Sequence, residues 1–297
     1  MPPRGTPRGV VVLTRGGTVT DFGYLLASTT ACSLPRPWSE ALASACADLY
    51  TWIHPARARA IDGRLRRIWS ETGRPGVPPS PRETYRAFAR AVLDFLAARP
   101  GKRLRVRLDD ESRAILERTR ASGRSTVIVS GHFGPWEVAL QWLAREVGPV
   151  HALALAHRSR AVERFFAARR AAFGVRTLSG GRPTSAAIQK LRAGGWIAAL
   201  ADRGSHSRRP RASGASPAGL VPLDPAPLLL ARRANAQILA GVAWRALDGA
   251  VEVRFHPPFS LEKDGGIHEA EATLQRFFDA HVRAHPTQWF HWAGTAG

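Results

Sequence analysis

The run Ser130-Gly131-His132-Phe133-Gly134-Pro135-Trp136-Glu137 sets an imidazole and a carboxylate five residues apart, directly after the apolar stretch Val127-Ile128-Val129. A histidine that donates one ring N–H to a carboxylate can use its other nitrogen to take a proton from a hydroxyl, as a general base. Backbone geometry decides whether two such groups meet. Five residues along one continuous helix turn side chains about 140° apart, whereas a loop followed by a helix lets His132 fold back over the first turn. With Gly134 as N-cap and Pro135 as the first helical residue, Glu137 takes the third helical position. There it can accept from His132 and balance its charge, while the helix start aims unpaired backbone N–H groups at an oxyanion or phosphate. The same spacing also suits a helix-capping carboxylate and an ordinary loop histidine.

The elements that must position this pair are readable from periodicity. Helices are expected around 37–53 and 55–70, ahead of the Pro-rich stretch Pro75-Gly76-Val77-Pro78-Pro79. Ser80-Pro81-Arg82-Glu83 is a capping-box start for a helix over 81–98, with Phe88, Val92, Phe95 and Leu96 on one stripe. From Thr126 the rhythm becomes strand, helix, strand, which predicts βαβ units. The strand 127–129 leads to the helix bearing Trp136, Leu140 and Leu143. A second apolar run at 152–156 follows, then helices at 161–173 and 184–193 and a strand at 196–201. Asp224-Pro225 opens a helix ending near Asn235, Asp248-Gly249 signals a hairpin between strands 237–244 and 250–255, and a last helix covers 268–284.

The chain's 297 residues, 44% hydrophobic and 22% charged, suffice for one large domain with a sizeable core. Forty-three Lys and Arg against 23 Asp and Glu give a formal charge of +20. The partner should therefore be anionic: a nucleic acid, an anionic bilayer or an acidic carrier protein. Arg excess also follows from a GC-rich genome, so charge alone does not choose. Cys32 and Cys46 lie in no metal-type or C-x-x-C spacing and are expected as free thiols in a reducing compartment. No signal peptide or transmembrane run is evident, so membrane contact is expected to be peripheral. His281 and His285 are four apart on the last helix, but no third ligand accompanies them, and no metal is expected. Nucleotide-binding glycine motifs and the G-x-S-x-G elbow are absent, and no cofactor is expected.

The segment from Ser130 to Glu137 resembles the H-x4-D/E block of the lysophospholipid acyltransferase superfamily, in particular its lipid A biosynthesis lauroyl/myristoyl branch. Further blocks are similar in order: His157-Arg158; Leu191-Arg192-Ala193-Gly194-Gly195 with Leu200-Ala201-Asp202-Arg203; Gly219-Leu220-Val221-Pro222 with Leu230-Ala231-Arg232-Arg233; and Pro286-Thr287-Gln288-Trp289-Phe290-His291-Trp292. Together they span roughly residues 80–292. The chain departs from the branch in its short, basic, weakly apolar opening, in Arg203 where Gln is usual, and in Leu223-Asp224-Pro225 after Val-Pro.

The resemblance implies direct acyl transfer from an acyl carrier protein or coenzyme A thioester to a hydroxyl of a lipid A precursor or related glycolipid. His132 would be the general base and Glu137 its partner, with Arg158, Asp202 and Arg203 on the acceptor or oxyanion side. Arg208 and Arg209, with Arg211, lie in the Gly/Ser/Pro-rich loop after Asp202 and would grip phosphate, although a solvated charge run reads the same. The expected fold is α/β, a central mixed β-sheet flanked by helices and resembling glycerol-3-phosphate acyltransferase. It comprises a basic N-terminal extension over 1–80 and an acyltransferase domain over 81–297. A monomer held peripherally at the cytoplasmic face of the inner membrane is expected, without nucleic acid. Two alternatives stay open: another lipid acceptor (a lysophospholipid, ornithine lipid or mannoside), and a non-catalytic protein binding nucleic acid or anionic lipid.

Overall fold

The computed structural model describes residues 33–154, 159–179, 183–202, 219–261 and 266–290. Two helices open the described chain, α1 (Arg36–Ile53) and α2 (Pro55–Thr72), separated only by His54. Helix α3 (Pro81–Ala97) begins with the expected capping box: the backbone N–H of Ser80 donates to Glu83 Oε2 at 2.6 Å. There follow β1 (Val106–Leu108), α4 (Asp110–Ala121), β2 (Thr126–Ser130), α5 (Trp136–Val147), β3 (Val150–Leu153), α6 (Arg160–Ala171), β4 (Val175–Leu178), α7 (Pro183–Arg192), β5 (Trp196–Leu200), α8 (Ala226–Ala234), β6 (Gln237–Arg245), β7 (Val251–Phe255) and α9 (Ile267–Ala284). A 3-10 turn, Pro286–Gln288, ends the series.

The strands form one seven-stranded mixed sheet in the order β1-β7-β6-β2-β5-β3-β4, in which only the β6–β7 pair is antiparallel. Parallel strands need cover on both faces, and side-chain alternation supplies two separate cores. Val127, Val129, Ile197 and Ile238 point to one face, beneath α2, α7, α8 and α9. Ile128, Ala198, Leu239 and Val253 point to the other, beneath α3, α4, α5 and α6. The protein is thus a single α/β domain with a mixed sheet between helical layers, the expected class. Helix α2 contributes Ile68 to the first core, and Ile61 and Leu65 to a smaller cluster with Ala47 of α1 and Tyr85 of α3.

The hairpin turns at Gly249, whose φ of 81° lies in the left-handed region, and Ala246 N–H donates to Ala250 O at 2.9 Å. The two edge strands carry no clear signal in the sequence. β1 and β4 are short and partly exposed, so they lack strong alternation. Helix α4, a further element beyond those expected, opens on Asp109, whose side chain accepts from Ser112 N–H at 2.7 Å. The apolar run at 152–156 forms a strand earlier than read, at 150–153, and residues 155–158 lie outside the described part.

Candidate active site

Strands β2 and β5 are neighbours in parallel register, Ser130 opposite Leu200, and Ala201 N–H extends the ladder to Ser130 O at 2.7 Å. The residues that follow each strand therefore emerge side by side at the carboxyl edge of the sheet, where α/β folds bind ligands. His132 follows β2 and Asp202 follows β5. Gly131 makes the approach possible: a Cβ there would lie 2.6 Å from the Phe133 ring and 3.0 Å from Asp202 Cβ.

His132 Nδ1 lies 2.8 Å from Asp202 Oδ1, and the His132 backbone N–H donates to Oδ2 at 2.9 Å. Trp289 Nε1–H donates to the same Oδ2 at 3.1 Å. Asp202 is fully buried. Burial works against ionisation, yet the His132 ring, its backbone N–H and the Trp289 indole together hold the carboxyl below its ordinary pKa. An ionised carboxylate can only accept, so in the neutral imidazole Nδ1 carries the proton toward it and Nε2 is the acceptor. Among the described residues Nε2 has no hydrogen-bond partner, and the His132 side chain retains 16% exposure.

The loop carrying His132 is clamped from the end of the chain. Phe290 N–H donates to His132 O at 2.9 Å and Gly134 N–H to Gln288 O at 2.7 Å, with Phe133 and Trp289 forming an isolated antiparallel bridge. The Gln288 amide brackets the backbone of Arg245, accepting from its N–H at 2.7 Å and donating to its carbonyl at 3.0 Å. Arg64 of α2 lies over the Trp289 ring at 4.9 Å and donates to its carbonyl at 3.2 Å. Burial pulls the Arg64 guanidinium down to about 10, against the fields of Tyr85 and Asp202.

The expected His132–Glu137 bond is not formed. Helix α5 starts at Trp136, one residue later than read, because Gly134 takes a left-handed φ of 48° and Pro135 becomes the N-cap. Glu137 then faces inward with Val138 and Gln141, and its carboxylate grips Arg170 of α6, through Nε at 3.0 Å and through Nη2. That contact outweighs the burial of Arg170 and leaves its pKa raised. Trp136 stands beside His132 instead, edge-on at 5.2 Å, stacked on Phe88 and tilted against Phe290.

Arg158, Arg203, Arg208, Arg209 and Arg211 lie outside the described residues. His281 is buried against Phe133, Trp244 and His285. Desolvation holds its pKa well below the ordinary value and that of His285 at about 4. Among the described residues no group of three His, Cys, Asp or Glu side chains is placed to hold a metal. Two contributors escaped the sequence reading. Arg170 follows Arg169 in a basic helix end and carries no local signal; Trp289 was visible as part of Pro-x-Gln-Trp, but its indole bond to Asp202 was not.

The fold thus brings a histidine and the buried carboxylate that holds it together at the carboxyl edge of the sheet, where α/β proteins bind ligands. The chain matches the bacterial lipid A biosynthesis acyltransferase family over residues 18–293, and belongs to it. It is therefore an acyltransferase. Comparison with curated proteins gave no match.

Proposed function

We propose that the protein transfers a fatty acyl chain from an acyl carrier protein or coenzyme A thioester to a hydroxyl of a lipid A precursor or related glycolipid, at the cytoplasmic face of the inner membrane. His132 serves as general base through Nε2 and Asp202 orients and balances it. The 2.8 Å bond between His132 Nδ1 and Asp202 Oδ1 carries this reading. It selects the tautomer whose free nitrogen can accept a proton from an acceptor hydroxyl.

The hydroxyl oxygen attacks the thioester carbonyl as its proton passes to Nε2. The resulting imidazolium is stabilised by the adjacent carboxylate, and the carbonyl oxygen becomes an oxyanion. Collapse of the tetrahedral intermediate re-forms the carbonyl and breaks the C–S bond. The leaving thiolate takes the proton back from Nε2, so the histidine returns to its starting state.

Glu137, the acidic member of the H-x4-E block, acts in this reading through Arg170. Their buried ion pair braces the first turn of α5 against α6 and keeps Trp136 beside the histidine. Arg158, Arg203, Arg208 and Arg209 stay assigned to anionic groups of donor or acceptor on the strength of the family resemblance and their charge.

The test is acyl transfer from radiolabelled acyl carrier protein and from acyl-CoA to a lipid A precursor. His132→Ala is expected to abolish transfer, and Asp202→Asn to lower kcat by about 10²–10⁴-fold. Unchanged transfer by His132→Ala overturns the mechanism. Wild-type transfer to a lysophospholipid, with none to the glycolipid, overturns the acceptor.

A further inference from the structure

Helix α1 is amphipathic in the inverted sense. Its charged residues are Arg36, Glu40 and Asp48, and each is tied to the body of the domain. Asp48 accepts from Arg86 of α3 at 2.6 and 2.5 Å, Glu40 accepts from Arg245 of β6 at 2.7 Å, and Arg36 pairs with Asp94 of α3. The opposite face is apolar and open. Trp38 is 70% exposed and Trp52 79%, with Leu42, Leu49 and Ile53 about half exposed between and beside them. Trp38, Leu42, Leu49 and Trp52 are spaced four, seven and three apart, which is a single stripe at helical period. Its length is about 21 Å at 1.5 Å per residue.

We infer that this stripe is the surface by which the protein docks on an anionic lipid bilayer, with α1 lying in the interfacial plane. The inference rests on the membrane-surface location in the proposed function, and assigns residues to it. Several observations favour a bilayer over a protein partner. No described helix is long and apolar enough to cross a membrane, so α1 would lie in the plane. Tryptophans at both ends of the stripe suit the headgroup boundary, where an apolar ring carries a polar N–H.

The carboxylates of α1 are neutralised by arginines, so none is left to oppose anionic headgroups. At a formal charge of +20 a second copy of the chain is repelled, whereas an anionic leaflet is attracted. The stripe also connects to the catalytic histidine through one helix. Helix α3 packs Tyr85 against Tyr50 of α1 and, one turn further along, Phe88 against Trp136 and Phe290 beside His132. Helix α3 thus joins the docking helix to the residues around the histidine.

Cys46, exposed on the same stripe, is a built-in reporter. In the full chain with Cys32→Ser, a polarity-sensitive fluorophore on Cys46 is mixed with vesicles of phosphatidylglycerol and phosphatidylethanolamine, or of phosphatidylcholine alone. The emission is expected to shift to the blue with the anionic vesicles. Co-sedimentation of the Leu42→Ser/Leu49→Ser/Trp52→Ser variant is expected to fall at least about tenfold, with its thermal melt unchanged.

A label blind to vesicles, or a variant that binds as the wild type and is released entirely by salt, overturns the inference. So does a concentration-dependent dimer lost in the variant without vesicle binding, or a blue shift that appears only after residues 1–32 are removed. Vesicle binding needs no catalysis, so its failure leaves acyl transfer untouched, and failed transfer leaves docking untouched.

Discussion

Trp289 is the residue at which packing and chemistry meet. Its indole N–H satisfies the second oxygen of a carboxylate with no access to water, and its ring lies under Arg64. Replacing it by Phe keeps most of the ring but removes the donor. The expected cost is about 1.5–3 kcal/mol of stability, the usual range for a hydrogen bond to a charged group, measured by urea unfolding. An unchanged midpoint would show that Asp202 does not depend on the indole. Glu137→Gln separates the two carboxylates. It removes the charge opposite Arg170 while leaving the His132–Asp202 bond intact. The expectation is loss of stability with a pH dependence of kcat that keeps its shape. If its acid limb moves instead, Glu137 acts directly on the histidine.

At the scale of elements, the decisive feature is the return of the chain end beneath the loop after β2. Gln288 holds the end of β6, Trp289 holds Asp202 two residues beyond β5, and Phe290 holds His132 two residues beyond β2. Three segments distant in sequence are brought into register by three consecutive side chains or backbone groups. Gly134 is the tightest point of that junction. Its φ is 48°, and an added Cβ would meet Ala243 O at 2.6 Å and Trp244 Cα at 2.7 Å. Gly134→Ala is therefore strained both by conformation and by contact. It is expected to lower the melting temperature and reduce kcat together, because the same loop carries His132. Retention of full activity at a lower melting temperature would show that the loop tolerates displacement.

For the molecule as a whole, the buried His281 and the half-buried His285 contribute to a loss of stability in mild acid. His281 and His285 have folded pKa values below the ordinary 6.5, the latter about 4, so the unfolded chain takes up protons before the folded one does. Stability therefore falls as pH drops from about 6.5 toward 4, by up to about 1.4 kcal/mol per pH unit for each histidine kept neutral. His281→Phe/His285→Phe should flatten that slope in urea melts across this window. Asp202 acts in a lower range: its depressed pKa contributes stability above the unfolded carboxyl pKa of 3.8, and that contribution is lost as pH falls through the folded value. A slope between 6.5 and 4 that survives the double substitution would assign it to other groups. The charge of +20 works at the same scale, and binding to anionic vesicles should weaken as ionic strength rises.

Local rules were enough for much of the chain. The capping box at Ser80, the Asp248-Gly249 hairpin, the Asn235 stop with its φ of 52° and the βαβ rhythm follow from propensity and period within a few residues. The placing of His132 after a buried strand was also visible. So was the family, because its blocks are strings of contiguous residues. Which carboxylate meets the histidine was not a local matter. Glu137 is five residues away in sequence and turns inward to Arg170, whereas Asp202 is seventy away and meets His132 at 2.8 Å. Strand order decides this: β5 lies beside β2, and parallel register places the residues just beyond their ends together. Sequence alone determined most of the elements and where the histidine falls among them; the sheet determined its partner, because contact between strand ends is a property of register rather than of spacing along the chain.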